Sequence, residues 1–166
     1  MFEKGDVVVY RADGICDIVD IATVDIPGLD QDRMYYILNM RNNTGKIYLA
    51  VDGDTSRMRK LISKEEAMEL ISKVQEIEPL ELRDRRKPEE CYKEALKKND
   101  CTELLKLIKC IYFRKKQRLD EGKKPTAADE KYMKIAEDAL YQELGEALDI
   151  PNDQVLDYLI NRMEDK

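Results

Sequence analysis

The sequence predicts an α+β protein in two parts: a small five-stranded β-barrel at the N-terminus and a bundle of four to five helices after it. Three observations carry this reading. Residues 1–62 alternate short β-branched and aromatic runs with tight-turn signals. At Ser63 the apolar spacing changes to the threes and fours of helices and keeps that period to the C-terminus. Charge falls in blocks as well, with one basic segment lying inside the helical part.

The strands follow in order. Val7-Val8-Val9-Tyr10 is short and β-branched, and Asp13-Gly14 turns the chain back. Ile15 to Ile26 is a second strand rich in Ile and Val, closed by Pro27-Gly28. Met34 to Met40 is a third, dense in aromatic and aliphatic side chains. Asn42-Asn43-Thr44-Gly45 turns into a fourth, Lys46 to Val51. After Asp52-Gly53-Asp54 a short fifth strand is expected near Arg57 to Leu61. Short strands joined by tight turns suggest a strongly bent barrel of SH3 or Tudor type, a shape used for binding more than for catalysis. Pro27 and the aspartates of the second strand suggest a sheet edge guarded against stray pairing.

The helices begin at Ser63-Lys64-Glu65-Glu66, a capping box, with Ala67, Leu70, Ile71 and Val74 on one face. Residues 75–87 read as a mobile connection. Pro88 suits the first turn of the next helix, whose apolar side is Cys91, Tyr92, Ala95 and Leu96, and Asn99-Asp100 break it. The following helix buries Leu104, Leu107, Ile108 and Ile111 and stops at Gly122. Thr126 is an N-cap with Asp129 at N3, ahead of a stripe of Met133, Ala136, Leu140, Leu144 and Ala147. Pro151 opens a last helix with Val155, Leu156, Leu159, Ile160 and Met163 inward.

Composition narrows the function. The chain of 166 residues has no histidine, so Ser-His and Cys-His nucleophile pairs and the commonest general base are excluded. No GxxxxGK[ST] or GxGxxG cradle for a nucleotide phosphate occurs, and no catalytic constellation is present, so the protein reads as a non-enzyme with no cofactor. Cys16, Cys91, Cys101 and Cys110 lack metal-ligand spacing and read as buried thiols of a reducing cytoplasm. No apolar run approaches the ~20 residues of a membrane span.

The net charge of −6 hides a basic segment. Residues 83–124 carry 15 Lys+Arg against 8 Asp+Glu, while residues 125–166 carry 4 against 11. Cations concentrated between acidic neighbours imply an anionic partner; taken alone, such a run is more simply a solvated helix end.

The opening Phe2-x-x-Gly5-Asp6-x-Val8-Val9-Tyr10, then Gly14-Ile15-Cys16-x-Ile18, resembles the CarD family of bacterial transcription regulators. Ile47-Tyr48-Leu49-Ala50-Val51-Asp52 and Met58-Arg59-Lys60-Leu61-Ile62 resemble that family's next strands. Glu94-Ala95-Leu96, Asn99-Asp100 and Thr126-x-x-Asp129-Glu130-Lys131-x-Met133-x-x-Ala136-x-x-x-Leu140-x-x-Glu143-Leu144 resemble its helical half. The resemblance implies that the barrel, residues 1–62, docks on the RNA polymerase β subunit. It also implies that the helical domain, residues 63–166, meets promoter DNA at the upstream edge of the open bubble and stabilises it. Two departures are plain. The wedge tryptophan of many members falls at Pro88, and the basic pair after it is Glu90 and Cys91, leaving Lys93. Barrel arginines of some members fall at Val24 and Tyr48, so docking must rest on other side chains.

The candidate DNA contacts are Arg85, Arg86, Lys93, Arg114, Lys115 and Arg118, supported by Arg83 and Lys87. Such contacts to phosphate are weak and largely independent of sequence. The candidate polymerase contacts are Arg41, Lys46 and Tyr48, since interfaces favour Tyr and Arg anchors. The alternative function is an adaptor on polymerase that makes no DNA contact, favoured by the missing tryptophan and the acidic C-terminal segment.

Overall fold

The computed structural model describes residues 2–10, 14–41 and 44–164, with side chains to Asn161. It divides into two compact units, Met1–Leu61 and Ile62–Lys166.

The first unit is one antiparallel sheet of β1 (Val7–Tyr10), β2 (Gly14–Ala22), β3 (Tyr35–Met40), β4 (Lys46–Ala50) and β5 (Met58–Lys60), in the order β4-β3-β2-β1-β5. The five expected strands are therefore present. Alternation puts Val8, Cys16, Ile18, Tyr36, Leu38 and Met58 in the core, with Ile47 and Leu49 packed against them. Two expectations are corrected. The second strand ends at Ala22, where its pairing with Tyr35 ends, and Pro27 lies beyond it in a turn closed by Leu29 N–H donating to the Ile26 carbonyl. It is also not an edge: β2 is the central strand, and the outer members are β4 and β5. Its aspartates are accommodated locally. Asp17 accepts both guanidinium arms of Arg41, and a bulge between Ile18 and Asp20 leaves Asp20 exposed. Asp13 and the Asn42-Asn43 turn lie outside the described residues.

The second unit holds α1 (Lys64–Ser72), α2 (Glu89–Lys97), α3 (Cys101–Asp120), α4 (Ala127–Leu148) and α5 (Asn152–Glu164). The capping box at α1 forms in both directions, Glu66 N–H to Ser63 Oγ at 3.1 Å and Ser63 N–H to Glu66 Oε1 at 3.3 Å. Asp100 and Thr126 cap α3 and α4 by accepting from the amides of Glu103 and Asp129. Between α2 and α3 the chain reverses through Asn99, at φ 48°. α3 ends on Gly122 at φ 76°, with Lys123 N–H donating to the Arg118 carbonyl and Gly122 N–H to that of Leu119, a Schellman arrangement.

α3 is the central helix. Leu104, Leu105, Leu107, Ile108, Lys109, Cys110 and Ile111 are all buried, so over two turns only the Lys106 face is half-exposed. Met133, Ala136, Leu140 and Leu144 of α4 are buried as expected, and Val155 and Leu159 of α5 complete the core. Ala147 and Leu156 pack at its margin, and the Met163 side chain lies outside the described ones.

The expected mobile connection of residues 75–87 is instead laid on the bundle. Ile77, Leu80 and Leu82 pack against the core, and Leu80 N–H donates to the Lys106 carbonyl at 3.0 Å. The apolar residues spaced between its glutamates supply the reason: each buries a side chain that a free linker would expose.

At the end of α4, Gly145 faces the reversal into α5. A Cβ there would stand 2.6 Å from Asn152 Oδ1 and 2.9 Å from the Ile150 carbonyl oxygen. Gly145→Ala should therefore destabilise the unit by about 1–3 kcal/mol, despite the better helix propensity of alanine. Urea denaturation of the variant checks this, and a gain in stability would contradict it.

Candidate functional site

The basic residues ahead of α2 are shaped by a turn. Asp84 Oδ1 accepts from Arg86 N–H at 2.9 Å, and Lys87 N–H donates to the Asp84 carbonyl at 3.1 Å. An aspartate at the first position of such a turn satisfies the backbone two residues on. Pro88, at φ −77° and ψ −14°, then leads into α2. Arg83 folds away from the turn onto Glu94, bidentate at 3.0 Å on each arm; that pairing raises the Arg83 pKa and lowers the Glu94 pKa.

The turn is tied down by a buried polar triad. Asp129, 0% exposed, accepts the Tyr92 hydroxyl at 2.7 Å and Arg114 Nε at 3.1 Å. Arg114 Nη1 also reaches the Arg85 carbonyl at 3.4 Å. Burial alone would lower the Arg114 pKa, but the hydrogen bond and charge of Asp129 raise it. Burial, with the Asp129 hydrogen bond, pushes the Tyr92 phenol well above its ordinary value, so Tyr92 stays neutral and donates. Burial likewise raises the Cys110 thiol.

Beside Arg114 opens a groove of about 930 Å³ between the turn, the start of α2, the end of α3 and the start of α4. Arg85, Arg86, Lys87, Arg114 and Arg118 line it, together with the carboxylates Asp84, Glu89 and Glu90. Four of the six candidate DNA contacts thus share one groove. Arg85 Nη2 leans toward Gln117 Oε1 at 3.4 Å, and Arg118 Nε donates to the Lys124 carbonyl at 2.7 Å, leaving its terminal nitrogens outside that bond. Arg86 and Lys87 are exposed and carry no carboxylate ion pair among the described residues.

The other candidates are placed differently. Lys93 is exposed on α2 and does not line the groove. Lys115 is half-buried near Glu137, whose carboxyl is raised by burial, with Lys115 opposing the shift. Arg114 lines the groove, but its side chain is 15% exposed and already paired, so its geometry is that of a brace. Tyr92 and Asp129 organise the site without having been singled out for it. Asp129 in the sequence reads as an N3 cap residue, and its amide is indeed capped by Thr126 while its carboxylate turns inward.

On the sheet, Lys46 and Tyr48 of β4 stand opposite Asn39 and Ile37, on the face away from Ile47 and Leu49. Arg41 is held to Asp17 at 2.9 and 3.0 Å, and Asp17 stands opposite Asn39 in the same register. The three candidate docking residues are therefore gathered on one side of the β2-β3-β4 region.

The four cysteines are buried and form no disulfide, and no cluster of metal-ligating side chains occurs among the described residues. No described helix is long and apolar enough to cross a membrane.

Comparison with curated proteins gives no match. The CarD-like/TRCF RID domain family matches residues 2–62, which is the β-sheet unit and the residue beyond it. The matched stretch contains all five strands, with the Gly5-Asp6 entry to β1 and the Met58–Lys60 strand at its two ends. Residues 2–62 are thus similar to the CarD-like/TRCF RID domain family, and the match does not extend into the helices.

Proposed function

We propose that the chain docks on the RNA polymerase β subunit through its sheet and meets promoter DNA through the basic groove of its helical part, modulating the stability of the open complex. The observation that carries the docking half is the match of residues 2–62 to a domain family associated with RNA polymerase and transcription. Lys46, Tyr48 and Arg41 supply an exposed or half-exposed face for it. The groove of Arg85, Arg86, Lys87 and Arg118 supports the DNA half, because cations without carboxylate partners are the ones that neutralise phosphates.

The two halves need each other. Phosphate contacts alone give dissociation constants of roughly 10⁻⁴ to 10⁻⁶ M at physiological salt. Docking the sheet on polymerase raises the local concentration of the groove to the order of millimolar. Each phosphate neutralised adds about 0.9 to the slope of log affinity against log salt, so Arg86→Ala with Lys87→Ala should lower that slope by up to ~1.8. Arg114 is unsuited to this test, since its loss also breaks the triad.

The docking half is tested by capturing polymerase with the full chain and with a Lys46→Glu, Tyr48→Ala variant. We expect capture by the full chain and at least about tenfold weaker binding by the variant, the size of loss common for a central interface anchor. Equal capture would place docking elsewhere. Capture with no change in open-complex behaviour would favour an adaptor that ignores DNA.

A further inference from the structure

A second, smaller slot of about 430 Å³ adjoins the basic groove, lined by Leu80, Leu82, Cys110 and Phe113 and walled by Arg85, Arg114 and Gln117, with Glu81 its one carboxylate. Those two arginines also wall the groove, so the slot and the groove share a boundary. Phe113 is 41% exposed, although it lies on a helix otherwise enclosed in the bundle just before it. Its ring is braced edge-to-face against Tyr112, centroids 5.4 Å apart. Beyond the arginines stand Arg86, Lys87 and Arg118.

We infer that this composite surface binds single-stranded nucleic acid, with a base stacked on Phe113 and the neighbouring phosphates held by Arg85, Arg86, Lys87 and Arg118. The inference rests on the proposed DNA contact and deepens it. A single strand alternates a flat apolar base with an anionic phosphate, and the surface presents an exposed aromatic in a partly apolar slot beside a cluster of cations. A duplex offers the same phosphates but hides its base faces in its own stack, so Phe113 gains nothing from it. An acidic peptide would satisfy the cations but has no flat ring in register for the slot.

The test is fluorescence anisotropy at low salt with the full chain. Four labelled probes are compared: an oligothymidylate, an abasic strand of the same length and charge, a duplex of that length, and an oligoglutamate. The oligothymidylate should bind about tenfold tighter than the abasic strand, in the range measured for a single base-aromatic stack. Phe113→Ala should abolish that preference while leaving the salt slope unchanged. Arg86→Ala with Lys87→Ala should weaken both strands alike and lower the slope. Equal binding of the base-bearing and abasic strands by the wild-type chain overturns the inference and leaves the phosphate reading standing; this comparison needs no variant to fold. Oligoglutamate or duplex binding as tightly as oligothymidylate also overturns it. Failure to bind any strand overturns it together with the DNA half of the proposed function.

Discussion

Asp129→Ala is expected to destabilise the helical unit by about 3–5 kcal/mol, the cost of removing one partner from a buried ion pair. Asp129 is 0% exposed, and Arg114 beside it is 15% exposed. Removing the carboxylate leaves a largely buried guanidinium with no counter-charge and the Tyr92 hydroxyl with no acceptor. Asp129→Asn keeps an acceptor for Tyr92 and loses the charge, so it should fall between Ala and wild type. The control is the double variant Asp129→Leu, Arg114→Met: removing both charges from a buried pair is often close to neutral. Urea denaturation measures all three. A loss below about 1 kcal/mol for Asp129→Ala would show that Arg114 can swing into water, as exposed pairs do. Because Arg114 also holds the Arg85 carbonyl, the Ala variant should disturb the basic turn as well.

The second large effect is expected at Lys109. Its side chain is 4% exposed, and its ammonium donates to the carbonyls of Val74, at 2.6 Å, and Ile77. Burial lowers its pKa. α1 is only 9 residues long, below the ~12–15 that stand alone in water, so it depends on such anchors. Lys109→Ala should cost about 3 kcal/mol, from two carbonyls left without a donor and from the space vacated. Lys109→Met keeps the volume and should cost about half as much. Hydrogen exchange locates the damage: amides of residues 63–80 should lose protection before those of α4. Uniform loss across the unit would contradict a clasp on α1.

Where the sequence was readable, local rules agreed with the tertiary structure. Ser63 with Glu66, Thr126 ahead of Asp129 and Gly122 after α3 mark helix ends by chemistry that acts within a few residues. The stripe from Met133 to Leu144 needed only a period, and β3 only its density of aromatic and aliphatic side chains. Less legible were the buried charges and the pairings between distant residues. Lys109 lies four residues after Leu105, inside the broad buried arc of α3, and that arc was the available signal for its burial. The aspartates of β2 suggested an edge, but Arg41 lies 24 residues on from Asp17, and strand order depends on such distant partners. Glu143, 1% exposed, accepts from Ile62 N–H across 81 residues, a pairing no window of sequence contains. The candidate site was legible as a block of charge. Its division into braces, such as Arg83 and Arg114, and outward cations, such as Arg86 and Lys87, required the partners.

The central claim is that a docked sheet presents a basic groove to promoter DNA. The most direct measurement is the lifetime of the promoter open complex on polymerase with the wild-type chain and with Arg86→Ala, Lys87→Ala, at two salt concentrations. The account predicts that the wild-type chain changes the lifetime, that the double substitution loses most of this change while polymerase capture stays the same, and that raising salt shrinks the wild-type effect more than the variant's. Identical lifetimes for the two proteins at both salt concentrations would contradict it.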